Sequence, residues 1–383
     1  MNQSEKNIIK ISNYAFFISG ITMLIFGAIM PYILEDYSIG YNYGGFLLSV
    51  QSVGNLLAGV FAGSLVQKIG FKKGTVIFSS SILVGFLIML ISKDYRFLVI
   101  TFFLTGFGIG SSSNISNTLV NNISKGDVNK LNVLHSFFAV GAFISPLVAS
   151  WYLTKSDNWQ LLIVVIAILS SVMPIRYLMS KYVPTNISEE KGESSGKKGS
   201  FWKRKEFIIS SAILFFYVGV EYAVNGWIVT YLKDAGIMST SLAQIVLSVL
   251  WVIIIFGRLL TGYISTRIST ENILFVNSIG ALSFFVFFLF QDSLGLIMFS
   301  ILGLGFFLAG IYPTTVANIG YQLRGTDDYM GALLGIAGLG GIVMPYVTGL
   351  VADKFNIFSG MIVILISAIC MVVLTTINKF MSK

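Results

Sequence analysis

A single acid interrupts a long apolar stretch. In FFYVGVEYAVNGWIVTYLKD, residues 215–234, Glu221 is the only charged residue before Lys233. A carboxylate near the centre of a bilayer costs roughly 3 kcal/mol on insertion scales, so it must face a bundle interior, a water-filled path or a partner. Two chemistries suit it there. Burial disfavours the charged form, so the acid can take up a proton on one side of a membrane and release it on the other. It can equally accept a hydrogen bond from a solute hydroxyl. Tyr217, Glu221 and Asn225 recur at i, i+4 and i+8, which puts three polar groups on one face of a helix. Of the 25 basic and 17 acidic residues, only Glu221 and Arg258 lie well inside apolar segments.

Uncharged polar residues form further stripes. Asn114, Asn117 and Asn121 are spaced i, i+3, i+7; Tyr312, Thr315 and Asn318 step by three; Gln51 and Asn55 are four apart. Amides and phenols offer donors and acceptors without charge, which suits a hydroxyl-rich neutral solute, and Trp227 and Trp251 can stack on the apolar face of a sugar. The alternative for each stripe is helix–helix hydrogen bonding, worth only about 0.6 kcal/mol in a membrane. His135, the one histidine, lies early in its helix and suits a structural hydrogen bond better than a proton relay. One histidine and one cysteine leave no metal-ligand cluster, no intramolecular disulfide and no Ser/His or paired-acid centre, so neither a cofactor nor enzymatic activity is expected.

The elements that must position these residues are membrane helices. Apolar residues make up 55% of the 383, charged residues 11%, and the mean hydropathy is +0.83. Apolar windows recur that are long enough to cross a hydrocarbon core of roughly 30 Å as helices. They predict twelve spans, at 12–35, 42–69, 73–92, 95–123, 129–154, 159–181, 205–233, 239–267, 271–291, 294–321, 327–352 and 358–381. No cleavable signal sequence is expected ahead of the first, whose start is polar and whose apolar run is too long. The net charge of +8 does not point to nucleic acid. Nineteen Lys and Arg fall at the termini and the even-numbered loops, against five on the other side (Lys93, Arg96, Lys155, Lys233 and Lys354), which places both termini in the cytoplasm. Counted from the cytoplasmic ends of their spans, Glu221 is sixteen residues in and Arg258 nine. That axial gap of roughly 10 Å predicts no direct pair, with Arg258 reaching towards the cytoplasm instead.

The chain also repeats itself. The polar segment 182–204, rich in Ser, Gly, Glu and Lys, reads as a linker between a six-helix half at 1–181 and another at 205–383. At an offset of 199, Gly20 matches Gly219, Gly27 matches Gly226, Tyr32 matches Tyr231, Gly141 matches Gly340 and Pro146 matches Pro345. A duplicated six-helix unit in one orientation predicts a transporter whose solute site lies between the halves.

GSLVQKIGFKKG, residues 63–74, resembles the loop between the second and third helices of the major facilitator superfamily. In it Gly63 allows close packing, Gly70 allows the turn, Lys68, Lys72 and Lys73 hold the loop in the cytoplasm, and Gln67 replaces the family's usual acid. The resemblance implies an all-α membrane protein of 12 transmembrane helices in two pseudo-symmetric six-helix halves. YVGVEYAVNGWIVTYL and LHSFFAVGAFISPL are similar to stretches of the fucose-permease-like sugar:proton symporters, which places Glu221 and Trp227 in or beside the solute path. Here the chain departs from the fucose permease. Its first span has no acid, and Ser111 in GFGIGSSSN stands where a glutamate is expected. Coupling would then move to Glu221, or the protein would be a uniporter. The rival reading is a drug or metabolite exporter of the same fold, although Ser145-Pro146-Leu147-Val148-Ala149-Ser150 lacks the exporters' G-P-x-x-G-G. The expectation is a monomeric, multi-pass protein of a bacterial cytoplasmic membrane, contacting lipid but no nucleic acid. It moves a small polar solute, a sugar, with protons.

Overall fold

A computed structural model of the chain describes residues 3–156, 158–182, 201–323 and 329–381; most of the expected linker, 183–200, lies outside them. The described residues are helical, and 12 helical segments are long and apolar enough to cross a membrane. The protein is a multi-pass membrane protein with the expected all-α architecture. The chain divides into two compact units, Met1–Ile39 with Leu47–Glu189, and Gly40–Phe46 with Glu190–Lys383.

In the first unit the helices are α1 (Gln3–Asp36), α2 (Tyr41–Ile69, whose first turn is counted with the second unit), α3 (Phe71–Ile91), α4 (Arg96–Ser124), α5 (Val128–Leu153) and α6 (Gln160–Met179). Gly70 joins α2 to α3 at φ 91°, a left-handed backbone conformation that a side chain would strain. Helix α1 begins well before its apolar run. Ile8 and Ile11 explain the extension, because both are buried against Val66, Phe78, Leu119 and Tyr177. The tightest pairing joins α1 to α5. A Cβ on Gly141 would fall on the Phe17 carbonyl and one on Gly20 on the Phe138 carbonyl, while Ser145 Oγ donates to the Ile21 carbonyl at 3.1 Å.

The second unit follows a 3-10 turn at Phe201–Lys203 and comprises α7 (Lys205–Asp234), α8 (Thr240–Ile264), α9 (Thr270–Leu289), α10 (Leu294–Leu308), α11 (Ile311–Gln322), α12 (Tyr329–Lys354) and α13 (Ile357–Met381). Ser239 and Ser293 cap α8 and α10, accepting from the backbone N–H of Leu242 and Leu296. Helices α7 and α12 repeat the α1/α5 contact: a Cβ on Gly340 would fall on the Phe215 carbonyl, and Trp227 Nε1 donates to the Pro345 carbonyl at 3.0 Å.

The tenth span is not one continuous helix. It breaks at Ala309–Gly310 between α10 and α11. Pro313 accounts for the break, since it has no N–H to offer the carbonyl four residues back and its ring crowds that carbonyl. Gly310 fits the break because Thr261 and Asn277 leave no room there for a Cβ.

Candidate functional site

In the second unit, polar groups on α7, α8 and the start of α11 come together in one cluster, while others are buried on α9, α10, α12 and α13. On α7, Tyr217, Glu221 and Asn225 form the expected stripe, with Tyr217 and Asn225 buried and the Glu221 side chain 13% exposed. On α8, Gln244, Ser248, Trp251 and Arg258 recur at i, i+4, i+7 and i+14, again one face; the first three are buried. The two stripes meet twice. Trp251 Nε1 donates to Asn225 Oδ1 at 3.1 Å, and Arg258 Nη2 lies 3.9 Å from Glu221 Oε1.

The second contact differs from what residue counting predicts. Counted instead from the Asp234–Thr240 connection that pins the two helices together, Glu221 lies 13 residues back along α7 and Arg258 18 along α8, a gap of roughly 7.5 Å. Each side chain leans towards the N-terminus of its own helix, and in an antiparallel pair those leanings converge. A long arginine closes the remainder. Arg258 is therefore the counter-ion of Glu221, and does not merely reach for a helix end.

At 3.9 Å the pair attracts without a short hydrogen bond, so the hydrogen-bonding capacity facing the pair is not used up between the two groups. Arg258 Nε is buried with no hydrogen-bond partner among the described residues. The Tyr217 hydroxyl sits beside both charges and completes no bond of its own, and its ring packs against Tyr312 of α11 with centroids 6.0 Å apart. The broken span thus delivers Tyr312 to the charged pair. Charge is balanced across the cluster, with one carboxylate, one guanidinium, and amide and phenol groups around them.

The remaining candidate residues make other contacts. Trp227 is wholly buried, braced on Pro345 and edge-on to Tyr41 at 6.0 Å, which makes it a packing residue between α7 and α12. Asn318 accepts from Thr270 Oγ1 at 3.0 Å and ties α11 to α9. In the first unit Asn114 donates to the Gly59 carbonyl at 2.9 Å, and Asn117 donates to Ser113 of its own helix at 2.9 Å. Gln51 is buried, and its Nε2 has no hydrogen-bond partner among the described residues; Asn55 packs its backbone on Gly110. His135 is exposed and edge-on to Phe16 at 5.2 Å. Lys68, Lys72 and Lys73 are exposed around Gly70, and Gly63 lies within α2. Sequence reasoning gave Trp251 a stacking role and missed its hydrogen bond to Asn225. Matching the α8 spacing 244, 248, 251, 258 against the α7 stripe would have found it.

Comparison with known proteins agrees with the architecture. The sequence model of the Major Facilitator Superfamily matches residues 14–326. A glucose/galactose transporter of Brucella abortus is 21% identical over 90% of each chain. The glucose/mannose transporter GlcP of Bacillus subtilis is 23% identical over 92% of each. A crystal structure of a variant of the nucleoside transporter NupG superposes with a TM-score of 0.82 over the whole of both chains, at 16% identity.

Proposed function

The chain belongs to the major facilitator superfamily, and on that premise we propose that it carries a sugar across a bacterial cytoplasmic membrane by alternating access, in symport with protons. The observation that carries this reading is the Glu221–Arg258 pair, 3.9 Å apart, among the buried polar groups of α7, α8 and α11. A balanced pair suits a neutral solute better than a charged one. A net charge brought into the site would leave one member of the pair without a counter-charge, which is costly away from water. Hydroxyls answer both members, since each donates one hydrogen bond and accepts others. The names of the relatives, transporters of glucose with galactose or mannose, point to the same class of solute.

Glu221 is the proposed proton site. Protonating it removes the attraction to Arg258, and solute and proton then act on one pair of side chains. The excess of Lys and Arg at the termini and even-numbered loops supports cytoplasmic termini. The working unit is a monomer in lipid, a transporter and not an enzyme. Reconstitution of the purified chain tests the reading: proteoliposomes should take up at least one hexose from a panel, and faster with an inward proton gradient. No hexose uptake combined with expulsion of hydrophobic cations would replace it with an exporter.

A further inference from the structure

The contact between Asn225 and Trp251 has a chemical direction. An indole N–H only donates, so Asn225 must turn its oxygen to Trp251, at 3.1 Å, and its amide nitrogen away. That nitrogen is buried and has no hydrogen-bond partner among the described residues. A flip would turn the amide N–H groups against the indole N–H, donor facing donor, which a buried site resists. On the side away from Trp251, Asn225 therefore presents N–H donors rather than its oxygen. One helical turn along α7, about 6 Å at 1.5 Å per residue, Glu221 presents an acceptor, with Arg258 beside it as a donor.

We propose that Trp251 acts through Asn225 as a specificity filter, fixing a donor-only contact one helical turn from the Glu221–Arg258 contact, so that the site reads which positions of a neutral polyhydroxylated ring carry a hydroxyl. This rests on the sugar-transport reading and extends it. One ring oxygen substituent is read purely as an acceptor, by Asn225. Another is read as a donor, by Glu221. Trp251 touches no solute in this scheme; it is a positioning residue. In the pseudo-symmetric half the matching pair is Phe26 and Ser52, where Ser52 Oγ bonds the Leu48 carbonyl of its own helix, so no such filter is duplicated there.

Deoxy and deoxyfluoro analogues separate the two kinds of contact, because fluorine accepts weakly but never donates, and hydrogen does neither. Competition against uptake of labelled D-glucose and D-galactose in proteoliposomes should reveal one ring position where the deoxy analogue competes about tenfold more weakly than the parent while the deoxyfluoro analogue stays within about threefold. A second position should reject both analogues by about tenfold or more. In Trp251→Phe the amide is free to turn its oxygen towards the solute, and the first position should then reject fluorine by about tenfold as well. Each ratio is taken within one variant, so poor folding or low expression cancels. Unchanged fluorine tolerance in Trp251→Phe, or no position that prefers fluorine to hydrogen, overturns the filter while leaving sugar transport standing. If the unmodified protein takes up neither sugar, the transport reading falls and takes the filter with it.

Discussion

The two halves keep the same skeleton and differ where the polar groups lie. At the shared offset of 199, Gly20 and Gly141 of the first half correspond to Gly219 and Gly340 of the second; Gly20, Gly141 and Gly340 bring the first and fifth helices into backbone contact, while Gly219 faces the Met344 side chain. The candidate site has no such counterpart. Glu221 corresponds to Thr22, whose hydroxyl bonds the Ile18 carbonyl of its own helix at 2.8 Å, and Asn225 to Phe26, stacked on Phe102 at 4.0 Å. Trp251 corresponds to Ser52, and Arg258 to Gly59, whose carbonyl is taken by Asn114. At those first-half positions the side-chain hydroxyls of Thr22 and Ser52 are satisfied by their own helices, whereas the second half holds a charge that needs another helix to balance it. Backbone packing tolerates duplication unchanged. A buried charge does not, because acid and base must be present together to be stable.

Moving one charge without its partner is the most severe way to break that comparison. Thr22→Glu places a carboxylate where no cation has been provided, and should cost about 3 kcal/mol or more, seen as a collapse of folded yield and a lower melting temperature in detergent. Next in size, Gly141→Val and Gly340→Val each drive a side chain into a backbone carbonyl. Both should lose roughly 1–3 kcal/mol, and similar losses in the two variants would sharpen the view that the scaffold is shared; a large loss in one alone would break it. Arg258→Gln leaves Glu221 without its counter-ion. Because Arg258 is 39% exposed, the lower end of the usual range applies, about 2 kcal/mol or roughly thirtyfold in apparent solute affinity, measured by uptake kinetics. Asn114→Ala removes one interhelical hydrogen bond in the first half and should cost only about 0.6 kcal/mol with little change in transport.

Much of this was legible in the residues themselves. Length and hydropathy mark membrane helices wherever apolar runs are long, and the repeated glycines mark the helix contacts because no other residue permits so close an approach. The isolation of Glu221 and its spacing from Tyr217 and Asn225 singled out one face of α7. Other features escaped for physical reasons. The start of α1 is polar in sequence, yet Ile8 and Ile11 find apolar partners on α2, α3, α4 and α6 that no local pattern announces. The break before α11 was signalled by Pro313, but hydropathy runs straight through it. The Glu221–Arg258 pair was hidden by counting Cα positions alone, which ignores the lean of side chains in an antiparallel pair. The partner of Trp251 depends on the rotation of α8 against α7, which follows from packing rather than from either helix's own sequence.

In the proposed mechanism Glu221 couples protons to solute. Glu221→Gln keeps the size and hydrogen-bonding capacity of the side chain and removes its titration. In proteoliposomes carrying this variant, accumulation of sugar driven by an inward proton gradient should be lost, while exchange of labelled for unlabelled sugar across the same membrane continues. Gradient-driven accumulation as strong as that of the unmodified protein would rule out Glu221 as the proton site.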